Sequence, residues 1–272
     1  MCGFQLNLTE EHHNMASSYS SDLQLEIMTT GEKAGLWGSI TNDNLKILEL
    51  AASGYYTVSI AAGSLTLNLD NGSALGSSTA TGKNLMIEVT GTLAANRVIT
   101  MPTGAERVFI VKDSTTRSAS NYTIGVQNVG GTGSGIVPLP VGATAAFYTD
   151  GTTSNSMTLL GILKPGYVTV TNGTNSPYIA VNGAVVMGVT NAGGGGTIQV
   201  TLPASPAAGD EVTIMDTSPT GGFAANLCTV DRNASNILGA ASNVTLINNN
   251  QSVTLAYTSN GTKGWIYKTN TN

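Results

Sequence analysis

The fold of this chain is decided by two strand-like stretches, Arg107-Val-Phe-Ile-Val-Lys-Asp113 and Glu211-Val-Thr-Ile-Met-Asp216. An apolar run ending in Thr100-Met-Pro102 leads into the first stretch, and Thr201-Leu-Pro203 leads into the second in the same way. The offset between the prolines is 101 (203 minus 102), and the offset between the final aspartates is 103 (216 minus 113). The second half of the chain therefore repeats the plan of the first.

The match between the halves continues after these strands. Asn121-Tyr-Thr-Ile124 corresponds to Asn226-Leu-Cys-Thr-Val230, and Ala146-Phe-Tyr-Thr-Asp-Gly151 corresponds to Ala256-Tyr-Thr-Ser-Asn-Gly261. The closing glycines are further apart than the prolines, so the offset grows where loops lengthen between strands. A period this long predicts one small domain per copy rather than a solenoid unit.

Short apolar runs such as Ala184 to Val189 and Ser252 to Tyr257 recur from Tyr55 onward, separated by turn residues. This pattern predicts a mainly β fold built from antiparallel sandwich or jelly-roll-like domains. The best internal boundary is Lys164-Pro165-Gly166, because Pro-Gly stops a strand. We therefore expect three parts: an N-terminal arm and anchoring segment (1–54), β domain 1 (55–165) and β domain 2 (166–272), a repeat of domain 1.

The N-terminal segment, which ends at Gly54, differs from the rest of the chain in charge and in pattern. Seven of the sixteen acidic residues lie between Met1 and Glu49. Leu23, Leu25 and Ile27 alternate with polar residues, which predicts a half-buried strand. The sequence thus predicts a separate N-terminal unit that begins with this strand.

One amphipathic helix is predicted in the same segment. Thr41 or Asn42 can cap its N-terminus, Asp43 suits its first turn, and Gly54 can end it. Its apolar stripe would consist of Leu45, Ile47, Leu48, Leu50 and Ala52.

Composition excludes several classes of function. Charged residues make up only 10% of the chain, hydrophobic residues 41%, and there are 33 glycines, which suits β structure with many tight turns. The net charge is -5 and the eleven basic residues are scattered singly, so we expect no nucleic-acid partner. The chain has neither a secretory leader pattern nor an apolar run of about twenty residues, so we expect no membrane span.

The residues that usually carry catalysis are sparse. His12 and His13 are adjacent in a polar arm, which favours solvated side chains over metal ligands, and no histidine is left to serve as a base in the β domains. Cys2 and Cys228 belong to no close-spaced cysteine framework. Asp113 and Asp216 end equivalent strands, and this equivalence favours a shared turn over a catalytic pair. We expect no enzymatic activity, no metal and no cofactor.

Aromatic side chains are the remaining candidates for ligand binding. Tyr257, Trp265 and Tyr267 could stack on sugars, and Trp265 and Tyr267 alternate along one strand, so their rings should share a face. Strand aromatics more often belong to a core or an interface. A carbohydrate-binding or depolymerising protein is the alternative that these residues and the aspartates keep open.

A family resemblance is carried by the N-terminal segment. Leu23-Gln-Leu-Glu-Ile-Met28, Thr30-Gly-Glu-Lys-Ala-Gly-Leu-Trp-Gly38 and Thr41-Asn-Asp-Asn-Leu45 follow one another there. This succession resembles the N-terminal region of tail-fibre and other virion structural proteins of marine bacteriophages. The C-terminal stretch Asn260-Gly-Thr-Lys-Gly-Trp-Ile-Tyr267 is similar in style to the endings of such proteins.

The resemblance implies a homotrimer in the phage particle, synthesised in the host cytoplasm and attached through its N-terminal segment. The β domains would then face the host, with surface polysaccharide as a further candidate partner. A short tail fibre or tail-associated protein is the leading expectation, and a capsid decoration or head fibre is the alternative. The residues expected to contact other virion proteins are Leu23, Leu25, Ile27, Glu32, Trp37, Asn42, Asn44, Leu45 and Leu48.

Overall fold

In the computed structural model the chain is mainly β, as the sequence predicts. The structure describes residues 18–31, 33–70, 81–104, 106–117, 122–130, 135–151, 155–189 and 196–271. The helices within these ranges are α1 (Trp37–Ser53) and α2 (Gly222–Ala225), and Thr81–Lys83 forms a 3-10 turn. The strands are β1 (Ser18–Tyr19), β2 (Glu26–Ile27), β3 (Tyr55–Ser59), β4 (Leu65–Thr66), β5 (Met86–Leu93), β6 (Arg97–Met101), β7 (Glu106–Arg117), β8 (Ile124–Asn128), β9 (Val137–Leu139), β10 (Thr144–Asp150), β11 (Thr158–Lys164), β12 (Val168–Thr171), β13 (Tyr178–Ile179), β14 (Ala184–Val189), β15 (Ile198–Thr201), β16 (Glu211–Asp216), β17 (Cys228–Asp231), β18 (Val244–Leu246), β19 (Ser252–Tyr257) and β20 (Trp265–Thr271).

Module 1, defined here as residues 55–165, winds three times between two facing sheets. Strands β3, β5 and β7 pair in parallel in one sheet, and β4, β6 and β8 pair in parallel in the other. Each strand of the first sheet is followed along the chain by a strand of the second, so successive coils stack as in a β-solenoid. The chain then reverses: β9 pairs antiparallel with β8, and β10 and β11 extend the first sheet in antiparallel fashion.

Module 2, defined here as residues 166–271, repeats this construction strand for strand. Its first sheet has the order β12-β14-β16-β19-β20 and its second the order β13-β15-β17-β18, which match β3-β5-β7-β10-β11 and β4-β6-β8-β9 of module 1. The first three strands of each sheet are again parallel and the remaining strands antiparallel. Equivalent strands therefore occupy equivalent places in the two halves.

The predicted antiparallel sandwich or jelly-roll domains are wrong, because the modules are β-solenoid coils with parallel ladders. In-out alternation along a strand identifies its buried face but does not identify the direction of its neighbour. Parallel neighbours need a crossover connection, and here the crossover is itself a strand of the facing sheet. The long period is therefore not the unit of the solenoid: each copy contains three stacked coils.

Each module has its own core between its two sheets. In β10 the buried positions alternate, so Ala145, Phe147 and Thr149 point inward. Phe147 stacks on Phe109 of β7, with ring centroids 5.9 Å apart. In module 2 the equivalent space is filled by aliphatic side chains, by Phe223 of α2 and by the wholly buried Trp265.

The two modules contact each other where β11 and β9 of module 1 meet the start of module 2. Gly166 lies so close to the backbone of Val141 and Gly142 that a Cβ there would overlap with it. A Cβ at Gly183 would likewise overlap with the side chain of Ile162. Glycine is required at both positions because the chain segments approach too closely for a side chain.

The last strands of the two modules differ in chemistry although they occupy equivalent places. In β11, Ile162 pairs with Ala145 and packs towards module 2. In β20 the residue at the corresponding place is Asn270, which pairs with Val253 and accepts a hydrogen bond from the side chain of Gln251 at 3.2 Å. At this equivalent place, β11 therefore carries an apolar side chain that faces the junction, and β20 carries a polar one.

The N-terminal segment forms a short hairpin and one long helix. Only Glu26 and Ile27 of the predicted strand are extended, in β2, and Ile27 is exposed, so the predicted half-buried strand through residues 23–27 is wrong. Gln24 takes a left-handed backbone conformation (φ 55°), which interrupts the extended run. No helix of the described ranges is long and apolar enough to span a membrane.

Helix α1 starts at Trp37, earlier than the predicted cap at Thr41 or Asn42, and its N-cap residue Leu36 makes no side-chain capping bond. The predicted end is confirmed: the N–H of Gly54 donates to the carbonyl of Leu50 at 2.7 Å.

Candidate functional site

Helix α1 is attached to the β1–β2 hairpin by the side chain of Asn44. Its Oδ1 accepts the backbone N–H of Glu26 at 2.9 Å, and its Nδ2 donates to the carbonyl of Glu26, also at 2.9 Å. Lys33 adds an ion pair with the Glu26 carboxylate at 3.3 Å. These contacts fix the orientation of the hairpin on the helix, so Asn44, predicted as a contact to other virion proteins, has an intramolecular role.

Next to Asn44, α1 also carries apolar residues that the described chain leaves uncovered. Trp37, Leu45 and Leu48 are 65%, 57% and 44% exposed, whereas Ile47 is the helix residue that is fully buried. Positions 37, 41, 45, 48 and 52 are three or four residues apart and fall on one narrow stripe of a helix. We call this stripe, formed by Trp37, Thr41, Leu45, Leu48 and Ala52, the α1 stripe.

The remaining residues predicted to contact virion proteins are distributed differently. Leu23 and Leu25 are half-buried, Asn42 is exposed on the helix, and Glu32 lies outside the described residues. The predicted helix stripe is only partly correct, because Ile47 is fully buried while Leu45 and Leu48 are about half exposed. The hairpin contact at Asn44 therefore borders the exposed α1 stripe, and Ile47 lies on a different, covered part of the helix.

The two aspartates weighed as a catalytic pair are each bound by groups of their own module. Asp113 lies inside β7 rather than at its end, and its buried carboxylate pairs with Arg117 at 2.7 Å and accepts the N–H groups of Thr115 and Gly142. Such a carboxylate orders the turn that brings Gly142 to the junction.

Asp216 ends β16 as predicted. Its carboxylate accepts the backbone N–H groups of Ser218, Phe223 and Asn250, each at 3.0 Å. Burial raises the pKa of Asp216, but these hydrogen bonds outweigh burial and hold the pKa below its ordinary value. An ionised carboxylate saturated by backbone donors caps a turn.

The aromatic residues considered for glycan contact lie on the inner face of module 2. Trp265 is fully buried and meets Tyr257 edge to face at 5.3 Å between ring centroids, and Tyr257 and Tyr267 are partly buried against the same core. The predicted shared face of Trp265 and Tyr267 is confirmed. The structure contradicts a glycan-contact role for Trp265, because alternation along β20 turns its ring into the core.

Sequence reasoning missed an exposed polar network on the outer face of module 1. The Glu88 carboxylate pairs with Lys112 at 2.8 Å and accepts the hydroxyls of Ser114 at 2.6 Å and Tyr55 at 2.5 Å. The hydrogen bond from Lys112, followed by those from the two hydroxyls, lowers the pKa of Glu88 to about 2. These residues come from three parallel strands, so their proximity follows from the solenoid register, which alternation alone does not specify.

Sequence reasoning also missed a groove of about 420 Å³ beside the junction of the modules. Its wall on the module 1 side includes Val137, Pro138 and Leu159, and its wall on the module 2 side includes Ile179 and Asp210. These residues belong to separate strands and turns, and no local motif links them. We call this feature the junction groove.

Comparisons with known proteins add little to this geometry. No protein-family model matches the chain, and no curated protein matches it. Among solved structures, one similar chain comes from a structure described as "Structure of a chaperone-substrate complex", with 15% sequence identity and a TM-score of 0.34. The match covers 79% of this chain and 32% of that chain, so this protein spans about a third of the length of that chain.

Proposed function

We propose that this protein is a non-enzymatic structural component of a bacteriophage particle, a homotrimeric short tail fibre or tail-associated protein. Its N-terminal segment attaches it to the particle, and its two modules extend outward for attachment to the host. It is synthesised in the host cytoplasm and resides in the virion. The proposal rests on the motifs of residues 23–45 together with the geometry of α1.

The observation that carries the proposal is the exposed α1 stripe. A helix of 17 residues gains most of its stability from packing an apolar face, yet α1 buries only Ile47 completely. Complete burial of a large apolar side chain contributes about 1.5–3 kcal/mol, and Trp37, Leu45 and Leu48 are each about half exposed, so covering them in an assembly would contribute roughly 2–5 kcal/mol per chain. Identical chains lying in parallel would bring the same stripe to a common axis.

The remainder of the chain suits this arrangement. The two modules repeat one construction, and each buries its own aromatic and aliphatic side chains. A surface with few charges and few long side chains loses little rotamer entropy when copies pack closely. The modules would therefore lie side by side around the helix axis.

The trimer is tested by replacing Leu45 and Leu48 with lysine together. The matched control is Ser39→Lys with Ser53→Lys, which adds the same charge on the opposite side of α1. Light scattering or sedimentation should give three times 27.8 kDa for the wild type and the control, and a smaller mass for the stripe variant. A stable wild-type monomer, or a stripe variant that keeps the wild-type mass, would refute the role of the stripe.

The virion assignment is tested separately by electron microscopy of labelled protein on intact particles. A tail location supports the leading proposal, whereas a head location supports a capsid decoration or head fibre. Normal incorporation of a chain that lacks residues 15–54 would refute N-terminal attachment. If the protein is a trimer but is absent from purified particles, the virion assignment is refuted, whereas the proposed interface at the α1 stripe is not.

The carbohydrate-depolymerising alternative has a direct test because Asp113 and Asp216 are each held by intramolecular partners. We expect no cleavage of host surface polysaccharide by the wild-type protein. Cleavage that Asp113→Asn or Asp216→Asn abolished would overturn the structural assignment.

A further inference from the structure

The junction groove lies between two sheet edges. On the module 1 side, β9 is the outermost strand of its sheet, and on the module 2 side β13 is the outermost strand of the corresponding sheet. Val137 and Pro138 of β9 face Ile179 of β13 across the groove. Its volume of about 420 Å³ falls within the roughly 300–1,000 Å³ typical of sites for small ligands.

The floor of the groove is aliphatic. It is formed mainly by valine, leucine, isoleucine, proline and alanine side chains, with Ile179 about half exposed. No aromatic ring lines the groove among the described residues, so it offers no flat surface on which a sugar could stack. The floor therefore suits a flexible alkyl chain better than a sugar ring.

The polar rim comes from successive turns of module 2. Asn182 follows the first coil, Ser205 and Asp210 lie between the second strand pair and the third, and Asn233 follows the third coil. Asp210 uses Oδ2 to accept the N–H of Ala207 at 2.9 Å, which leaves Oδ1 without a partner among the described residues.

The other rim residues also keep one polar atom available. Asn233 donates from Nδ2 to the carbonyl of Leu202 at 2.8 Å, and its Oδ1 has no partner in the described part of the chain. Ser205 makes no side-chain hydrogen bond to any described residue. The oxygens left available at the rim belong to Asp210, Asn233 and Ser205, whereas Asn182 accepts the N–H of Glu211 through Oδ1 at 3.0 Å and keeps its donor Nδ2. Asp210 is the one ionisable residue among the described lining residues.

We propose that the junction groove binds a primary amine with an aliphatic body, such as a free alkylamine or the lysine side chain of a partner protein. The alkyl chain lies on the aliphatic floor, and the protonated amine donates to Asp210, Asn233 and Ser205. An ammonium group has three N–H donors and no acceptor, which matches the three available oxygens of Asp210, Asn233 and Ser205. An anionic ligand would meet the Asp210 carboxylate with no neighbouring cation among the described lining residues. This inference does not depend on the virion assignment.

The test measures binding of n-hexylamine to the full chain by calorimetry near neutral pH. Its neutral and anionic counterparts, n-hexanol and n-hexanoate, have similar alkyl bodies. The amine should bind at least ten times more tightly than the other two. Asp210→Asn keeps an oxygen for the turn but removes the charge, and it should weaken amine binding about ten-fold, as expected for loss of a charge-assisted hydrogen bond.

The matched control is Asp43→Asn on α1, which makes the same charge change away from the groove and should leave amine binding unchanged. Ile179→Ser should weaken binding of the amine and of the alcohol alike, because the alkyl chains of both contact the aliphatic floor. Equal binding of amine and alcohol, or equal loss in the Asp210 and Asp43 variants, would overturn the proposal. Circular dichroism of each variant shows whether the fold is retained.

The two sources of the amine are separated by a second probe, N-acetyl-lysine methylamide. If it binds as well as hexylamine, the groove accepts a lysine side chain presented by a polypeptide backbone. If only hexylamine binds, the ligand is a free amine. Failure of both probes to bind would refute the site.

Discussion

The buried pair of Asp113 and Arg117 gives the sharpest test of the energetics of module 1. Their side chains are 0% and 7% exposed, and the guanidinium Nη2 lies 2.7 Å from Oδ2 of the carboxylate. Replacing Arg117 with methionine keeps most of the side-chain volume but leaves the carboxylate buried without its cation. Only the hydroxyl and N–H of Thr115 and the N–H of Gly142 then remain as donors.

The expected cost follows from burial. Removing one partner of a buried ion pair typically destabilises a protein by about 3–5 kcal/mol, because the remaining charge is uncompensated. The exposed pair of Asp43 and Lys46 on α1, at 3.5 Å, provides the control, and Lys46→Met should cost less than about 1 kcal/mol. For a chain of this size, Arg117→Met should lower the melting temperature by roughly 10 °C.

The assay is urea and thermal unfolding followed by circular dichroism. The double variant Asp113→Asn with Arg117→Met should be less destabilised than the sum of the single variants, because it removes the buried charge as well as its partner. The reasoning would be wrong if Arg117→Met and Lys46→Met had similar free energies of unfolding. Additive effects of the two changes at the buried pair would also contradict it.

Three further predictions concern the junction, a buried thiol and the outer network of module 1. Gly166→Ala should destabilise the protein by at least about 1–3 kcal/mol because the new Cβ meets backbone, whereas Gly161→Ala, with open space at its Cβ, should change the unfolding free energy little. Burial raises the pKa of Cys228 to about 12, so peptide mapping after iodoacetamide treatment at pH 8 should find it unmodified in native protein and modified in urea. The pKa of Glu88 is depressed to about 2, so its contribution to stability is present above the ordinary value of 4.5 and is lost as the pH falls towards 2. Glu88→Gln should reduce the loss of melting temperature over this range, and an unchanged pH profile would contradict the assignment.

Strand positions could be predicted from the sequence, and strand partners could not. The runs Ala184–Val189 and Ser252–Tyr257 coincide with β14 and β19, because a short apolar run bounded by turn residues depends on each strand alone. The parallel coils depend on which strands stack, and the coils differ in length. The coil that starts at Val168 returns to its sheet at Val186, whereas the much longer coil that starts at Tyr55 returns only at Met86. Because the coils differ in length, the repeat of single coils is not visible in the sequence, whereas the longer repeat of whole modules is.

The candidate surfaces, too, could be predicted where they depend on one element and could not be predicted where they depend on packing between elements. The apolar stripe of α1 could be predicted in part, since a helix period places Leu45 and Leu48 together, but which helix residues the rest of the chain covers depends on packing. The junction groove was not visible, because Leu159, Ile179 and Asp210 come together only when the two modules meet. Asp113 was identified as a turn residue, but its pairing with Arg117 follows from the inward face of β7.

The contrast between β11 and β20 means that the two halves of the repeat are not interchangeable. An outermost strand with unpaired backbone groups recruits a neighbour unless its side chains oppose this, and polar residues at the edge do so. Exchanging Ile162 and Asn270 would move the apolar side chain from a covered edge to an open one. The same place in the β plan thus serves two purposes: Ile162 packs against the next module, and Asn270 is held by a hydrogen bond within its own module.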